Sequence, residues 1–378
     1  MHIAFISPEY PCKQFKGNLG GIGTFTKNLA EQLVANHCKV TVFIYSQSIE
    51  QVLKENKVTI HFVKRKTFKG FTWLANRKYV NNYLNRIIKE EKIDVIEAPE
   101  WTGFTAFMKF DIPLVIRLHG SDTYFCDLEK RTLKRKNKFF EKRALIGADK
   151  IIGVSEFVAK KTKKLFQLDI DIDIIYNTID TNKFTPNHQN IELKSLLYFG
   201  TLVRKKGVLE IAKMFSMLVE HDDEVRLVLL GKDNRDVFTG KSTLEMIKEI
   251  LSEKAIQRMT YIDAVPYDEV ISYIQKAHVV LLPSFAEAFP MSWLEAMAME
   301  KKLITSNIGW AKELMVEGET GCMVNPSDTE VFLIKMICLL ENKEASLRMA
   351  KQARQRVKND FDVYEIFQEN INLYKNIL

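Results

Sequence analysis

Four short stretches of this 378-residue chain hold residue types and spacings suited to chemistry. The first is SFAEAFPMSWLEAMAM (284–299), where Glu287 and Glu295 stand on either side of Pro290. Proline has no N–H to donate and its φ suits a first helical turn, so a helix is predicted from Pro290 to about Met299. Glu287 then lies in the preceding loop and Glu295 within the helix. On one continuous helix the two would be offset by roughly 80° about the axis, and the proline removes that constraint. A helix start offers unpaired N–H groups and partial positive charge, which favour phosphate. Glutamates do not bind phosphate; they accept hydrogen bonds from hydroxyls beside it, as on ribose and sugars. The second stretch is GTLVRKKGV (200–208), where Arg204, Lys205 and Lys206 crowd one loop. Adjacent cations repel unless an anion joins them, and a diphosphate is the natural partner. A solvated basic turn is the plainer alternative.

The third stretch, LGGIGTF (19–25), pairs Gly20 with Gly21 and lets backbone approach a ligand at the start of a helix. It lacks both the GxGxxG spacing of a dinucleotide site and the GK[ST] of a P-loop. In the fourth, HGSD (119–122), His119 falls where a strand leaves the core. It can hydrogen-bond a substrate, with Ser121 or Asp122 orienting it; a turn with an N-cap is the alternative.

These loops need elements to hold them. Short β-branched runs alternate with helical patterns, as HIAFIS, KVTVFIY, DVIEA, PLVIRLHG and DKIIGVS. The alternation restarts with SLLYFGT, RLVLLG, MTYIDAV, VVLLPS and KLITSN. Repeated βα units imply parallel sheets covered on both faces. The economical reading is α/β, with two Rossmann-like doubly wound domains whose strand-end loops face one cleft. The turn-rich YNTIDTNKFTPNHQN marks the link between them. The expected domains are 1–185 joined by a returning terminal helix (361–378), and 186–360.

Composition narrows the class. The net charge of +7 is uneven: residues 1–190 hold 31 Lys+Arg against 20 Asp+Glu, and residues 191–378 hold 24 against 28. A basic first half suggests an anionic neighbour. The five scattered cysteines fit a reduced, cytoplasmic protein without a disulfide framework or zinc site. The start MHIAFISPEYP reads as strand and loop, not as a signal peptide, and no apolar run is long enough to span a bilayer.

Taken in order, these motifs resemble a family 4 glycosyltransferase of the GT-B fold and retaining type. The resemblance runs through LGGIGTFTKNLAEQL, the HG after the fourth strand, ADKIIGVSEFV, IIYNTIDTNKF, the GTLVRKKG loop, SFAEAFPMSWLEAMA and GWAKELMVEGETGCMV. It implies a nucleotide-sugar donor bound by the second domain, an acceptor on the first, and no cofactor. It implies that Glu295 binds ribose hydroxyls, Glu287 the donor sugar and Lys206 the phosphates. Gly21 would line the diphosphate and His119 contact the sugar, while backbone of Phe289, Pro290, Met291 and Ser292 contacts sugar and phosphate. His119, Glu287 and Lys206 are the implied catalytic set. Asn177 and Ser155 match positions that shape interdomain loops. Thr201 stands where the family often has arginine, and Arg204 or Lys205 is the candidate substitute. Thr178, Glu300 and Lys302 are further departures.

The default donor is a UDP-sugar, with the base near Tyr261–Val265. The Asp-x-Asp pattern in DIDID (169–173) is better explained as a strand with one acidic face than as a metal site. The segments VKRKTFKGFTW (63–73) and RTLKRKNKFFEKRALI (131–146) mix cations with aromatics. In the second, Leu133, Phe140 and Ala144 are expected inward, and Lys134, Arg135, Lys138 and Lys142 outward. Such patches suit anionic lipid surfaces, so peripheral membrane contact toward a lipid-linked acceptor is expected; no nucleic-acid reader motif is visible. A non-catalytic nucleotide-sugar-binding subunit is the competing function, and a nucleotide-sugar epimerase is a third.

Overall fold

The computed structural model describes residues 1–17, 19–67 and 72–378. The chain divides into two compact units, Met1–Asn177 with Ile366–Leu378, and Thr178–Glu365. Residues 178–185, expected with the first domain, belong to the second unit. Ile179 exchanges backbone hydrogen bonds with Phe361 and Val363, both 3.1 Å. The Thr181 hydroxyl bonds the Asp362 carboxylate, and Arg354 reaches the Phe184 carbonyl at 2.9 Å.

In the first unit the strands are β1 (His2–Ser7), β2 (Lys39–Gln47), β3 (Gln51–Glu55), β4 (Val58–Lys64), β5 (Val95–Pro99), β6 (Leu114–Leu118), β7 (Lys150–Gly153) and β8 (Asp173–Ile174). The helices are α1 (Gly21–Ala35), α2 (Thr72–Glu91), α3 (Asp122–Leu128), α4 (Arg135–Ile146) and α5 (Glu156–Phe166). The sheet runs β3-β4-β2-β1-β5-β6-β7-β8 and is parallel except for the β3–β4 pair. β1, β5 and β6 are buried along their whole length, as expected of strands covered on both faces.

The β3–β4 hairpin was not expected. Its turn residues Asn56 and Lys57 both take positive φ, 50° and 65°, and no glycine marks the turn in the sequence. The DIDID segment is also corrected: only Asp173–Ile174 is strand, although Asp169, Asp171 and Asp173 are all exposed. In the 131–146 segment the helix begins only at Arg135, so Leu133 precedes it and is exposed, whereas Phe140 and Ala144 are buried. Lys138 and Lys142 are half-buried rather than outward. Residues 68–71 of the VKRKTFKGFTW stretch lie outside the described residues.

In the second unit the strands are β9 (Ser195–Phe199), β10 (Arg226–Leu230), β11 (Met259–Ile262), β12 (Val279–Leu282), β13 (Lys302–Ser306) and β14 (Cys322–Val324). The helices are α6 (Val208–His221), α7 (Thr243–Ile250), α8 (Glu253–Gln257), α9 (Tyr267–Lys276), α10 (Met291–Ala298), α11 (Ala311–Leu314), α12 (Thr329–Glu341) and α13 (Lys343–Asp360). The order β11-β10-β9-β12-β13-β14 is the Rossmann order, with its switch point between β9 and β12. In the first unit the corresponding switch lies between β1 and β5.

The last helix, α14 (Val363–Ile377), joins the first unit from Ile366 onward. Its anchor is polar. Buried Arg117 on β6 holds the Glu97 carboxylate through Nε at 2.7 Å and Nη2 at 3.0 Å. Asn370 accepts from Arg117 at 2.6 Å, and the Tyr374 hydroxyl donates to Glu97 at 2.7 Å. Removing one partner of such a buried pair costs about 3–5 kcal/mol, because the other charge stays buried alone.

Candidate active site

Ligands of open α/β sheets sit outside the carboxyl ends of the strands at the switch point. In the second unit that position belongs to the loops after β9 and β12. The β9 loop closes with a 3₁₀ turn, Arg204–Lys206, followed by Gly207 at φ +76°. A Cβ at Gly207 would collide with the Pro283 carbonyl oxygen, so only glycine lets the two loops pack this closely. The Phe285 N–H then donates to the Lys205 carbonyl at 2.7 Å and stitches them together. This packing brings the Lys206 ammonium onto the Glu287 carboxylate as an ion pair.

Pro290 caps α10 from an extended conformation, so Glu287 lies in the loop and Glu295 in the helix, as the proline predicts. Phe289 and Pro290 are buried, and Met291 and Ser292 are half-buried at the first turn. Trp293 and Leu294, fully buried, seat the helix. Glu295 is 4 % exposed and accepts the Tyr267 hydroxyl at 2.6 Å. Burial pushes its carboxyl up to about 7, against the opposing pull of the Tyr267 hydroxyl and the Lys183 and Lys206 charges. Arg204 forks onto Asp236 through Nε at 2.8 Å and Nη2 at 3.0 Å. The guanidinium holds the Asp236 carboxyl down at about 2, helped by Thr239. Thr201 offers no cation; its carbonyl accepts from the Tyr198 hydroxyl at 2.7 Å.

The switch point of the first unit has a different chemistry. After β1, the Glu9 carboxylate accepts the Gly23 N–H at 2.8 Å. The start of α1, where the glycine pair suggests an external anion, thus holds the chain's own carboxylate. Burial pushes the Glu9 carboxyl up, against the Gly23 and Gly20 N–H groups. Gly20 and Gly21 remain exposed. After β5, Glu100 is fully buried, and its Oε2 accepts the His119 N–H at 2.9 Å, while Oε1 has no hydrogen bond among the described residues. Burial pushes its carboxyl up to about 8. The His119 ring, at the end of β6, lies 4.7 Å from the Phe25 ring. Burial, with the Arg117 charge, pulls its imidazole down to about 3, so it is neutral near pH 7. Ser121 takes the capping role open to the HGSD turn, accepting the Tyr124 N–H at 3.0 Å. Ser155 likewise caps α5, and Asn177 is buried at the end of the first unit.

Comparison with known proteins gives this geometry a family. Residues 19–183 match the family described as Glycosyltransferase Family 4, and residues 180–356 match Glycosyl transferases group 1. The chain belongs to the family 4 glycosyltransferases. An uncharacterized glycosyltransferase of Methanocaldococcus jannaschii is 26% identical over 349 residues, covering 89% of each chain. A D-inositol 3-phosphate glycosyltransferase of Pseudarthrobacter chlorophenolicus is 23% identical over 91% of this chain and 87% of its own. Among solved structures, sucrose-phosphate synthase from Thermosynechococcus elongatus superposes with TM-score 0.80 at 17% identity, over 99% of this chain and 98% of its own. The Anabaena protein HepE, solved in complex with UDP, gives TM-score 0.75 at 17% identity over 100% of both chains. These likenesses establish the GT-B fold.

In this glycosyltransferase the two loops that carry Lys206 and Glu287 meet, and the Lys206 charge reaches Glu295. Four residues of the two switch points escape motif reading: Tyr267, Asp236, Glu9 and Glu100. Glu9 and Glu100 were nonetheless findable, because each follows a strand directly, in SPEYP and APEW. Tyr267 and Asp236 leave no comparable signal, since their roles arise from packing against residues 28 and 32 positions away.

Proposed function

We propose that this glycosyltransferase moves a hexose-type sugar, with retention, from a UDP-sugar to a glycan or lipid-linked acceptor in surface polysaccharide or glycoconjugate synthesis. The observation that carries the reading is the ion pair of Lys206 with Glu287 at the switch point, in the loop that leads into α10, with Glu295 of that helix within reach of the Lys206 charge. Lys206 and the backbone N–H groups of Phe289, just before α10, and of Met291 and Ser292, in its first turn, bind the diphosphate. Arg204, anchored on Asp236 through Nε and Nη2, adds positive charge nearby. Glu295 accepts from the ribose hydroxyls and Glu287 from hydroxyls of the donor sugar. Gly21 lets backbone approach the diphosphate, and neutral His119 hydrogen-bonds the sugar.

In the transfer, the bond between the anomeric carbon and the phosphate oxygen breaks as charge gathers on the leaving diphosphate. Fixed cations and a helix start aimed at that charge lower the barrier, and they do so without a resident metal ion. The acceptor oxygen attacks from the same face, and its proton passes to the departing phosphate oxygen. The site works in the cytoplasm, with peripheral contact at the inner face of the membrane. Among the described residues no helix is long and apolar enough to cross a membrane.

The test is nucleotide release from a panel of UDP-, GDP- and ADP-sugars, with and without added acceptor. Release of UDP supports the reading. Binding of nucleotide sugars with no release from any of them would leave the non-catalytic subunit as the better account.

A further inference from the structure

Helix α4 carries two opposed stripes. Phe140, Glu141, Ala144 and Leu145 are buried, whereas Lys136, Phe139, Arg143 and Ile146 are exposed. The exposed four recur at steps of three, four and three, so they share one face. Phe139 is 50% and Ile146 53% exposed, which is unusual for a helix with an intact inner stripe. The one acid of α4, Glu141, is turned inward, where it accepts the N–H groups of Asp122 at 2.9 Å and Thr123 at 3.2 Å. The outer face therefore carries positive charge alone.

Other aromatics extend this face. Phe107 is 55% exposed, and its ring lies 6.1 Å from Phe139. Its backbone sits at φ +65°, which a bulky residue rarely adopts. Trp73 on α2, 37% exposed, lies 5.0 Å from Phe140. Cations interleave with the rings: Arg143 is 5.6 Å from Phe139, Lys136 5.9 Å from Trp73, and Arg77 4.3 Å from Phe140.

Single exposed apolar residues are ordinary on soluble proteins, but a contiguous aromatic group marks a contact surface. The charge selects an anionic partner. The exposed aliphatics Ile146 and Leu74 select hydrocarbon, since they offer neither a hydrogen bond nor a ring face to a base or sugar. Aromatics beside Lys and Arg on one helix face suit the boundary between headgroups and acyl chains, where the cations' stems also bury. We propose that the outer face of α4, with Trp73 and Phe107, docks on an anionic phospholipid bilayer. This deepens the reading of a lipid-linked acceptor by naming the surface that meets the lipid. It uses no residue of the donor site.

The test is co-sedimentation of the full chain with vesicles of phosphatidylcholine alone or with about 30% phosphatidylglycerol, since anionic lipid attracts each nearby cation by about fivefold in affinity. Binding to the anionic vesicles is expected to be at least about tenfold stronger. Lys136→Glu with Arg143→Glu should reduce it to the neutral level. Phe107→Ser with Phe139→Ser should weaken it at least about fivefold, through lost apolar burial. Melting temperature and UDP affinity should stay at wild-type values in both variants, which separates lost docking from lost folding or a failed donor site. Equal recovery on neutral and anionic vesicles would overturn the proposal. So would wild-type binding by the serine variant, or tighter binding of a single-stranded oligonucleotide that the same serines abolish.

Discussion

The two units share a strand order around their switch points yet place opposite chemistry there. In the second, Lys206 meets Glu287 and lies near Glu295, with Arg204 close by on Asp236. In the first, two carboxyl groups, Glu9 and Glu100, stand at the ends of adjacent strands, with neutral His119 one strand over. The cationic point is suited to a diphosphate. The first-unit point, with its carboxyl groups and neutral imidazole, is suited to hydroxyl groups. The difference in chemistry rests on a few residues at strand ends rather than on the fold.

The largest effect should come from breaking the cationic point. Lys206→Ala is expected to lower the rate of nucleotide release about 10²–10³-fold, because it removes the fixed charge proposed to face the leaving group. Steady-state assays with the preferred donor check this, and a loss under threefold would exclude Lys206 from the phosphate site.

The acidic point is tested through pH. The Glu100 carboxyl titrates near 8 in the folded chain, against an ordinary value of 4.5. Between those values the folded state holds the extra proton, so this group's contribution to stability falls as pH rises. Glu100→Gln resembles the protonated acid and should remove that fall. Relative to the variant, the wild type should lose on the order of a few kcal/mol between about pH 5 and pH 8.5 in urea unfolding. Parallel profiles for the two proteins would show that Glu100 is not held protonated.

Smaller differences divide roles within the cationic point. Glu295→Ala is expected to weaken UDP binding about tenfold, on the scale of a lost charge-assisted hydrogen bond. Glu287→Ala should change UDP affinity less than about threefold while cutting turnover by at least about tenfold, if, as proposed, it accepts from the donor sugar. Isothermal titration beside kinetics separates these outcomes, and equal losses of UDP affinity would merge the two roles. Smallest of all in UDP affinity, Arg204→Ala should change it less than about threefold, while lowering stability by about 1–3 kcal/mol because buried Asp236 loses its charged partner. A tenfold loss of UDP affinity would instead make Arg204 a direct phosphate ligand.

Much of this arrangement is legible before folding. Buried parallel strands read as continuous β-branched runs, and Pro290 announces that Glu287 and Glu295 occupy different elements. Chemistry carried by a charge type at a strand end is likewise visible, as with Lys206 and His119. Interactions that depend on tertiary packing are not. Nothing in the spacing tells that Arg204 is held by Asp236, that Tyr267 caps Glu295, or that Glu9 fills the start of α1. The β3–β4 hairpin escapes because Asn56 and Lys57 adopt left-handed backbone without a glycine to mark it. Leu133 misleads because helical periodicity was carried two residues past the true start of α4.

The most direct measurement is nucleotide diphosphate release from a UDP-sugar panel by the wild type and by Lys206→Ala, in parallel with UDP titration. The account predicts that at least one UDP-sugar is turned over by the wild type, and that the variant loses both turnover and UDP affinity. UDP binding of equal strength in both proteins, with no release from any donor, would contradict it.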